Sequence, residues 1–311
     1  MLINKIFKSL NYRFNKKQKT IIKLLEDQKI LISRINSNLN KDKNLINDLS
    51  DVEFSVFSQW GEDGIINWII NQIPDINKTF VEFGVENYIE SNTRLLFQEY
   101  NWSGLIIDGD RNNINEIVSS DYYWKGDLIA LNEFITIKNI NNILRNYNIK
   151  NDLGILSIDV DGNDYWLWEA IEELTPSIVI CEFNSIFGKK LSLTIPYEEK
   201  FIRSQKHYSH LYFGCSIKAL VELARKKGYI FLGTNLNGNN AFFVKSDCIK
   251  LINSKLQNIK IHQAKYRESR NLVGRLDYKN LDASLDIIEE LPILNLTDGS
   301  IDKIKNLKKY F

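Results

Sequence analysis

The chain has 311 residues, 44% of them hydrophobic and 12% aromatic, which is enough for one large core plus an accessory element and excludes a disordered protein. Its formal charge of +1 provides no concentrated basic surface, so composition gives no case for nucleic-acid binding. No apolar stretch reaches the ~20 residues that cross a bilayer, no signal-peptide block opens the chain, and Cys181, Cys215 and Cys248 are too dispersed for a metal or disulfide pattern, so a cytoplasmic protein with reduced thiols is expected.

Residues 1–23 carry seven Lys or Arg and no acid. Ile3, Ile6, Phe7, Leu10 and Phe14 share one face of this basic stretch, the pattern either of a peripheral membrane contact or of a helix packed on the protein's own body. From Ile21 the apolar residues recur by four and three: Ile21, Leu25, Gln28, Ile32, Ile35, Leu39, Asp42, Ile46, Leu49. Seven of these nine are apolar, which predicts a coiled-coil-like seam and a homo-oligomer formed through it; Gln28 and Asp42 weaken the seam while favouring one register. Three regions result: a helical segment 1–50, a domain 51–250 and a helical extension 251–311.

After about residue 54, strands alternate with helices, as in a doubly wound α/β sheet. Strands are expected at 79–84, 104–108, 125–130, 154–159, 177–182, 229–233 and 241–245, and helices at 61–72, 91–100, 137–145, 165–174 and 216–227. The last two strands are separated by T-N-L-N-G-N-N, a turn too short for a crossover. The sheet is therefore Rossmann-like and seven-stranded, closed by a terminal antiparallel hairpin. Residues 185–215 interrupt the alternation and are placed to shape a substrate pocket.

Three strand ends carry chemistry. V-E-F-G-V-E at 81–86 puts Glu82 and Gly84 at the first, and Asp108 ends the second, placed to accept from both ribose hydroxyls of a nucleoside cofactor. The second and third glycines of a pyrophosphate-binding loop are absent, and Glu86 and Glu90 crowd the turn. That disfavours a nicotinamide oxidoreductase and suits S-adenosylmethionine, which has no phosphate and carries a sulfonium and an ammonium. The third strand end is L-S-I-D-V-D-G-N-D-Y-W at 156–166. Asp159, Asp161 and Asp164 are site candidates there, with helix capping the alternative for Asp161 or Asn163 and the expected role of Asp164.

F-S-Q-W-G-E-D-G-I-I at 57–66, the E-x-G loop and I-D-V-D-G at 158–162 together resemble the FkbM-like class I methyltransferases. The resemblance spans roughly 55–247 and leaves out the N-terminal helix. The chain departs from that family's I-D-V-E-G strand, with Asp161 for glutamate and Ser157 where lysine is common. The resemblance implies methyl transfer from S-adenosylmethionine, often to a sugar hydroxyl. It carries cofactor contacts onto Gln59, Glu82, Gly84 and Asp108, with Ser91 and Thr93 near the methionine end and Asp127 accepting from the adenine amine.

Asp159, Asp161, Glu182 and Asn184 bring oxygens to one edge, where they hold Mg²⁺ or another divalent cation, or bind substrate hydroxyls directly. Removing the acceptor's proton falls to His207, His210 or Asp159. Tyr88, Tyr197 and Tyr212 line the sugar pocket or belong to the core. The function expected is O-methylation of a sugar or nucleotide-sugar that serves as a cell-surface glycan precursor. The rival readings are a nicotinamide-dependent oxidoreductase and a non-catalytic assembly protein recruited through the N-terminal helix.

Overall fold

The computed structural model describes residues 2–172, 174–264 and 268–311, with the side chains of 2–13, 15, 19 and 251 outside that description. In chain order its strands are β1 (Thr79–Phe83), β2 (Ser103–Asp108), β3 (Leu128–Asn132), β4 (Ile155–Ile158), β5 (Ile178–Glu182), β6 (Leu193–Thr194), β7 (Tyr229–Thr234), β8 (Asn240–Lys245), β9 (Pro292–Asn295) and β10 (Ile301–Lys303). Seven of them form one sheet in the order β3-β2-β1-β4-β5-β8-β7. The β1–β5 ladders are parallel, and β8 runs antiparallel to both β5 and β7. Reversal at β8 follows from its short connection: Asn235 Oδ1 accepts from the backbone N–H groups of Gly238, Asn239 and Asn240, which folds the chain straight back.

The parallel strands are buried on both faces and read as continuous apolar runs, with alternate residues going to opposite layers. Val81, Phe83, Leu105, Ile107, Leu156 and Ile158 enter one core cluster. Phe80, Ile106, Ile155, Ile178 and Ile180 enter the other. Helices cover both layers: α1 (Leu2–Lys41), α2 (Glu62–Ile70), α3 (Arg94–Tyr100), α4 (Arg111–Val118), α5 (Ile140–Asn146), α6 (Asp164–Ala170), α7 (Arg203–Lys206) and α8 (Ile217–Lys226), followed by α9 (Ile249–Asn253), α10 (Leu281–Ile287) and α11 (Ile304–Leu307).

The long helix α1 ends at Lys41, before the expected seam does. Ile46 and Leu49 leave the helix and are buried in the core beneath the sheet, with Ile46 N–H bonded to the Lys255 carbonyl at 2.8 Å. The apolar repeat thus serves two ends: up to Leu39 it is helical, and beyond it is core. One face of α1 docks on the body through Arg34–Glu99, Ser37–Tyr100 and Asn40 to the Val52 carbonyl. Arg94, at the start of α3, pairs with Glu26, and with Arg34–Glu99 and Ser37–Tyr100 further on, α1 runs parallel to α3.

The segment after residue 250, expected to be helical, contains β9 and β10 as well as helices. With β6 from the 185–215 insertion they make a second, three-stranded antiparallel sheet. Phe187, Leu193, Leu211, Ile293 and Ile304 join insertion and C-terminal segment in one cluster, which stands beside the carboxyl edge of the main sheet.

Candidate functional site

A cavity of about 690 Å³ opens along the carboxyl ends of β1, β2, β4 and β5, where the strand order reverses between β1 and β4. One wall is the F-S-Q-W-G-E-D loop. Asp63 Oδ2 accepts the backbone N–H of Val56, Phe57 and Ser58 at 2.8, 2.7 and 2.7 Å, and Ser58 Oγ accepts the N–H of Asp63 in return. Burial pushes the Asp63 carboxyl up to about 6 against the pull of those bonds. Glu62 is fully buried and accepts from Asn235 and Asn240 side chains and from Trp60 N–H, which keys this loop to the β7–β8 turn. Gln59 and Trp60, at the loop's crest, line the cavity.

At the end of β1, Glu82 is buried and accepts Ser91 Oγ at 2.6 Å, Asn92 N–H at 2.9 Å and Thr93 N–H at 3.1 Å. Burial raises its proton affinity while these donors lower it. Its carboxylate organises the 91–93 loop from beneath, with both oxygens engaged. Glu82, Gly84 and Ser91 line the cavity; Thr93 does not. Thr93 is fully buried and its hydroxyl meets Glu82 and Tyr88, which corrects its expected place at the methionine end.

Asp108, at the end of β2, lines the cavity and accepts three donors: Glu86 N–H and Asp110 N–H, each at 2.8 Å, and Asn113 Nδ2 at 3.0 Å. A carboxylate has about four acceptor positions, so one remains. Asp127 is a second correction. The chain makes a short 3₁₀ turn at Tyr123–Lys125, β3 starts only at Leu128, and Asp127 is exposed at the amino edge, away from the cavity. The residues that β3 delivers to the cavity are Glu133, Phe134 and Ile135.

Beyond β4, Asp159, Asp161 and Glu182 bring carboxylate oxygens within 4.8 Å of one another. Burial first, then the charges of Asp161 and Asp164, hold Asp159 far above the usual carboxylate range. Glu182 is raised by burial and by Asp159, opposed by Arg203. Glu182 Oε2 and Asn240 Oδ1 are buried without a hydrogen-bond partner among the described residues, and both residues line the cavity. Asn184 is no ligand. Its Nδ2 donates to the Leu211 and Phe213 carbonyls, each at 3.0 Å, and its Oδ1 accepts Ile186 N–H, so it holds the insertion in place.

Asp164 is fully buried and accepts Val160 N–H at 2.8 Å and Gly162 N–H at 3.0 Å. It therefore shapes the loop before α6, and the N-cap residue is Asn163, whose side chain makes no cap bond. Asp161, held at a positive φ of 55°, pairs with Arg203 at 2.5 Å. Arg203 also pairs with Glu268, donates to the His210 carbonyl and lies 3.7 Å over the Phe213 ring. Its proton affinity is raised by Glu268 and Asp161, overriding a burial effect in the opposite direction.

The two histidines do not line the cavity. His207 Nδ1 meets Ser209 Oγ at 2.7 Å, and burial lowers the proton affinity of both rings. Tyr88 and Tyr212 are buried, and Tyr197 also lies outside the cavity lining. Trp60, Glu133, Phe134, Phe201, Arg203, Asn240, Glu268 and Arg270 line it without having been singled out as site residues in the sequence. For Asn240 a signal existed: it closes the asparagine-rich turn leading into the reversed strand.

Strand order and cavity together define a Rossmann-like α/β protein with its ligand site at the topological switch point. No protein-family model matches the chain, and no curated protein matches it in sequence. Among solved structures it is similar to the N-terminal domain of EvdMO1 with SAH bound, at 8% identity and a TM-score of 0.38, covering 59% of this chain and 79% of that one. It is also similar to an S-adenosylmethionine dependent methyltransferase from Mesorhizobium loti, at 11% identity and a TM-score of 0.34, covering 55% and 84%. A third likeness is to the pyocyanin biosynthetic protein PhzM, at 13% identity and a TM-score of 0.32, covering 57% and 53%.

Proposed function

We propose that the chain is an S-adenosylmethionine-dependent O-methyltransferase acting on a carbohydrate hydroxyl, in a nucleotide-linked sugar or other cell-surface glycan precursor. The observation that carries this is how one cavity distributes its acids. On the β1–β2 side, Glu82, Glu86, Asp108 and Glu133 line it without a glycine-rich phosphate loop. On the β4–β5 side, Asp159 and Glu182 are held toward their neutral forms. The first group repels a pyrophosphate and favours a cationic donor without phosphate.

Gln59, Gly84, Asp108 and Phe134 would hold that donor, which supplies a methyl group on a cationic sulfur. The remaining chemistry belongs to the chain. Asp159, in its ionised form, takes the proton that the acceptor oxygen loses; its raised proton affinity makes that carboxylate a stronger base than an ordinary aspartate. Glu182 Oε2 and Asn240 Oδ1, buried and without donors, receive neighbouring sugar hydroxyls and fix the attacking oxygen's direction. Phe201 and Leu276 provide apolar surface for the C–H face of a sugar ring.

The oxygens of Asp159, Asp161 and Glu182 would also hold a hard divalent cation, which would polarise the acceptor hydroxyl. Calorimetric titration with S-adenosylmethionine and NAD⁺, followed by labelled-methyl transfer to a panel of sugars and nucleotide-sugars with and without exhaustive chelation, tests the reading. Absence of S-adenosylmethionine binding sinks it. NAD⁺ binding in its place makes the chain an oxidoreductase, and full activity after chelation removes the cation.

A further inference from the structure

The outer face of α1 is an apolar stripe left exposed by the described residues. Phe14, Ile21, Leu25, Ile32, Ile35 and Leu39 are each 54–60% exposed. At 3.6 residues per turn they fall within an arc of roughly 80°, over ~38 Å of helix. The residues that fasten α1 to the body, Glu26, Ile30, Ser33 and Ser37, are centred roughly 145° round the helix from that arc. The stripe therefore faces away from the protein it belongs to.

Its spacing is heptad. Phe14, Ile21 and Ile35 take d positions, Leu25, Ile32 and Leu39 take a positions, and Gln18 and Gln28 are polar interruptions. Leu24 and Leu31 at g and Ile22 at e widen the stripe, and each is more than half exposed. Among the e and g positions of residues 14–39, Lys17 and Lys29 are the charged ones. A helix lying on anionic lipid draws its binding from cations along the edges of the apolar face; here Lys17 and Lys29 flank the stripe, while Lys16, Lys19, Lys23 and Arg34 sit on the opposite side. An isolated helix with this much apolar surface in water is not self-sufficient, since helical stability comes mainly from packing of the amphipathic face.

We infer that the stripe is the self-association surface of the protein, with the α1 stripe of a second copy as its occupant. The occupant has matching length, matching heptad phase and no acidic or basic run that conflicts with it. Nine large side chains, each over half exposed, offer on the order of the ~800 Å² per partner that a standard stable interface buries. The bodies are fastened on the far side of each helix, so they flank the seam without entering it.

Multi-angle light scattering on the full chain at tens of micromolar tests this, with Leu25→Glu/Ile32→Glu as the variant. Both residues are exposed in the single chain, so the fold should survive, and S-adenosylhomocysteine affinity serves as the check that it does. The wild type is expected at twice the chain mass or a higher multiple and the variant at the chain mass, with equal far-ultraviolet circular dichroism. A monomeric wild type overturns the proposal, as does a variant that keeps the wild-type mass. A monomeric wild type that sediments with phosphatidylglycerol vesicles, while the variant does not, overturns it in favour of a lipid surface. Loss of S-adenosylhomocysteine binding by the wild type would count against the donor assignment and leave the mass measurement to decide the seam.

Discussion

Glu182 and Asn240 are register partners across the antiparallel β5–β8 ladder, and each leaves one buried oxygen without a donor on the cavity wall. Leaving a buried polar atom unpaired costs roughly 1–3 kcal/mol, so two at one point mark a place where something else supplies the donors. The acceptor hydroxyls, or a cation that binds them, would do so. Glu182→Gln should therefore lower turnover by about 100-fold while S-adenosylhomocysteine affinity stays within threefold. Calorimetry and single-turnover methyl transfer check it, and a parallel fall in affinity would move Glu182 to the donor half of the cavity.

Arg203 joins three parts of the chain that are distant in sequence: Asp161 after β4, Glu268 in the C-terminal segment and the His210 carbonyl of the insertion. Its side chain is 12% exposed and that of Asp161 56%. Removing one partner of a fully buried pair costs about 3–5 kcal/mol, and solvent at Asp161 reduces this, so Arg203→Met should lose about 2 kcal/mol. Thermal unfolding would show a drop of several degrees for a chain of this size. An unchanged midpoint would mean that the cluster rim is held by the apolar contacts alone.

Gly84 lies at φ +73°, and a Cβ there would sit 1.6 Å from the Asp159 carbonyl oxygen. The loop after β1 and the end of β4 touch backbone to backbone, which is how donor and acceptor halves share one cavity. Gly84→Ala combines a left-handed backbone with an overpacked contact, and about 3 kcal/mol of stability should be lost. Urea unfolding reads the loss. S-adenosylhomocysteine affinity should fall more than tenfold, because the displaced loop carries the Glu82 and Ser91 wall.

Apolar runs that stop in acids made the carboxyl edge legible: β1, β2, β4 and β5 begin and end within a residue of the sequence reading. The expected strand at 125–130 began three residues early, since Lys125 closes a 3₁₀ turn and β3 starts only at Leu128, which leaves Asp127 at the amino edge. β6, of two residues, and the other strands of the small sheet were missed, since so short a segment has no period to detect. The misassigned ligand was Asn184, two residues past Glu182 and beyond the end of β5, where its side chain is turned to carry the insertion. Arg203 and Glu268 could not be found from local pattern, because their meaning depends on a contact across 65 residues.

Asp63 sets the pH dependence of the loop that carries Gln59 and Trp60. Its carboxyl is pushed from the usual 3.8 up to about 6 by burial, against the three N–H donors that pull it down. Between about pH 4 and about pH 6 the folded chain then holds this proton while the unfolded chain has released it. The stability it contributes is fully present below about pH 4 and is lost as pH rises through about 6. A shift of two pKa units corresponds to about 3 kcal/mol. Asn at this position offers an uncharged oxygen to the same N–H groups and does not titrate. The stability of Asp63→Asn relative to the wild type should thus rise by about 3 kcal/mol from pH ~4 to pH ~7, measured by urea unfolding at each pH. A difference that stays flat over that range would show that the three N–H bonds fully offset the cost of burying the carboxylate, and the loop would then be held by an ionised Asp63 throughout.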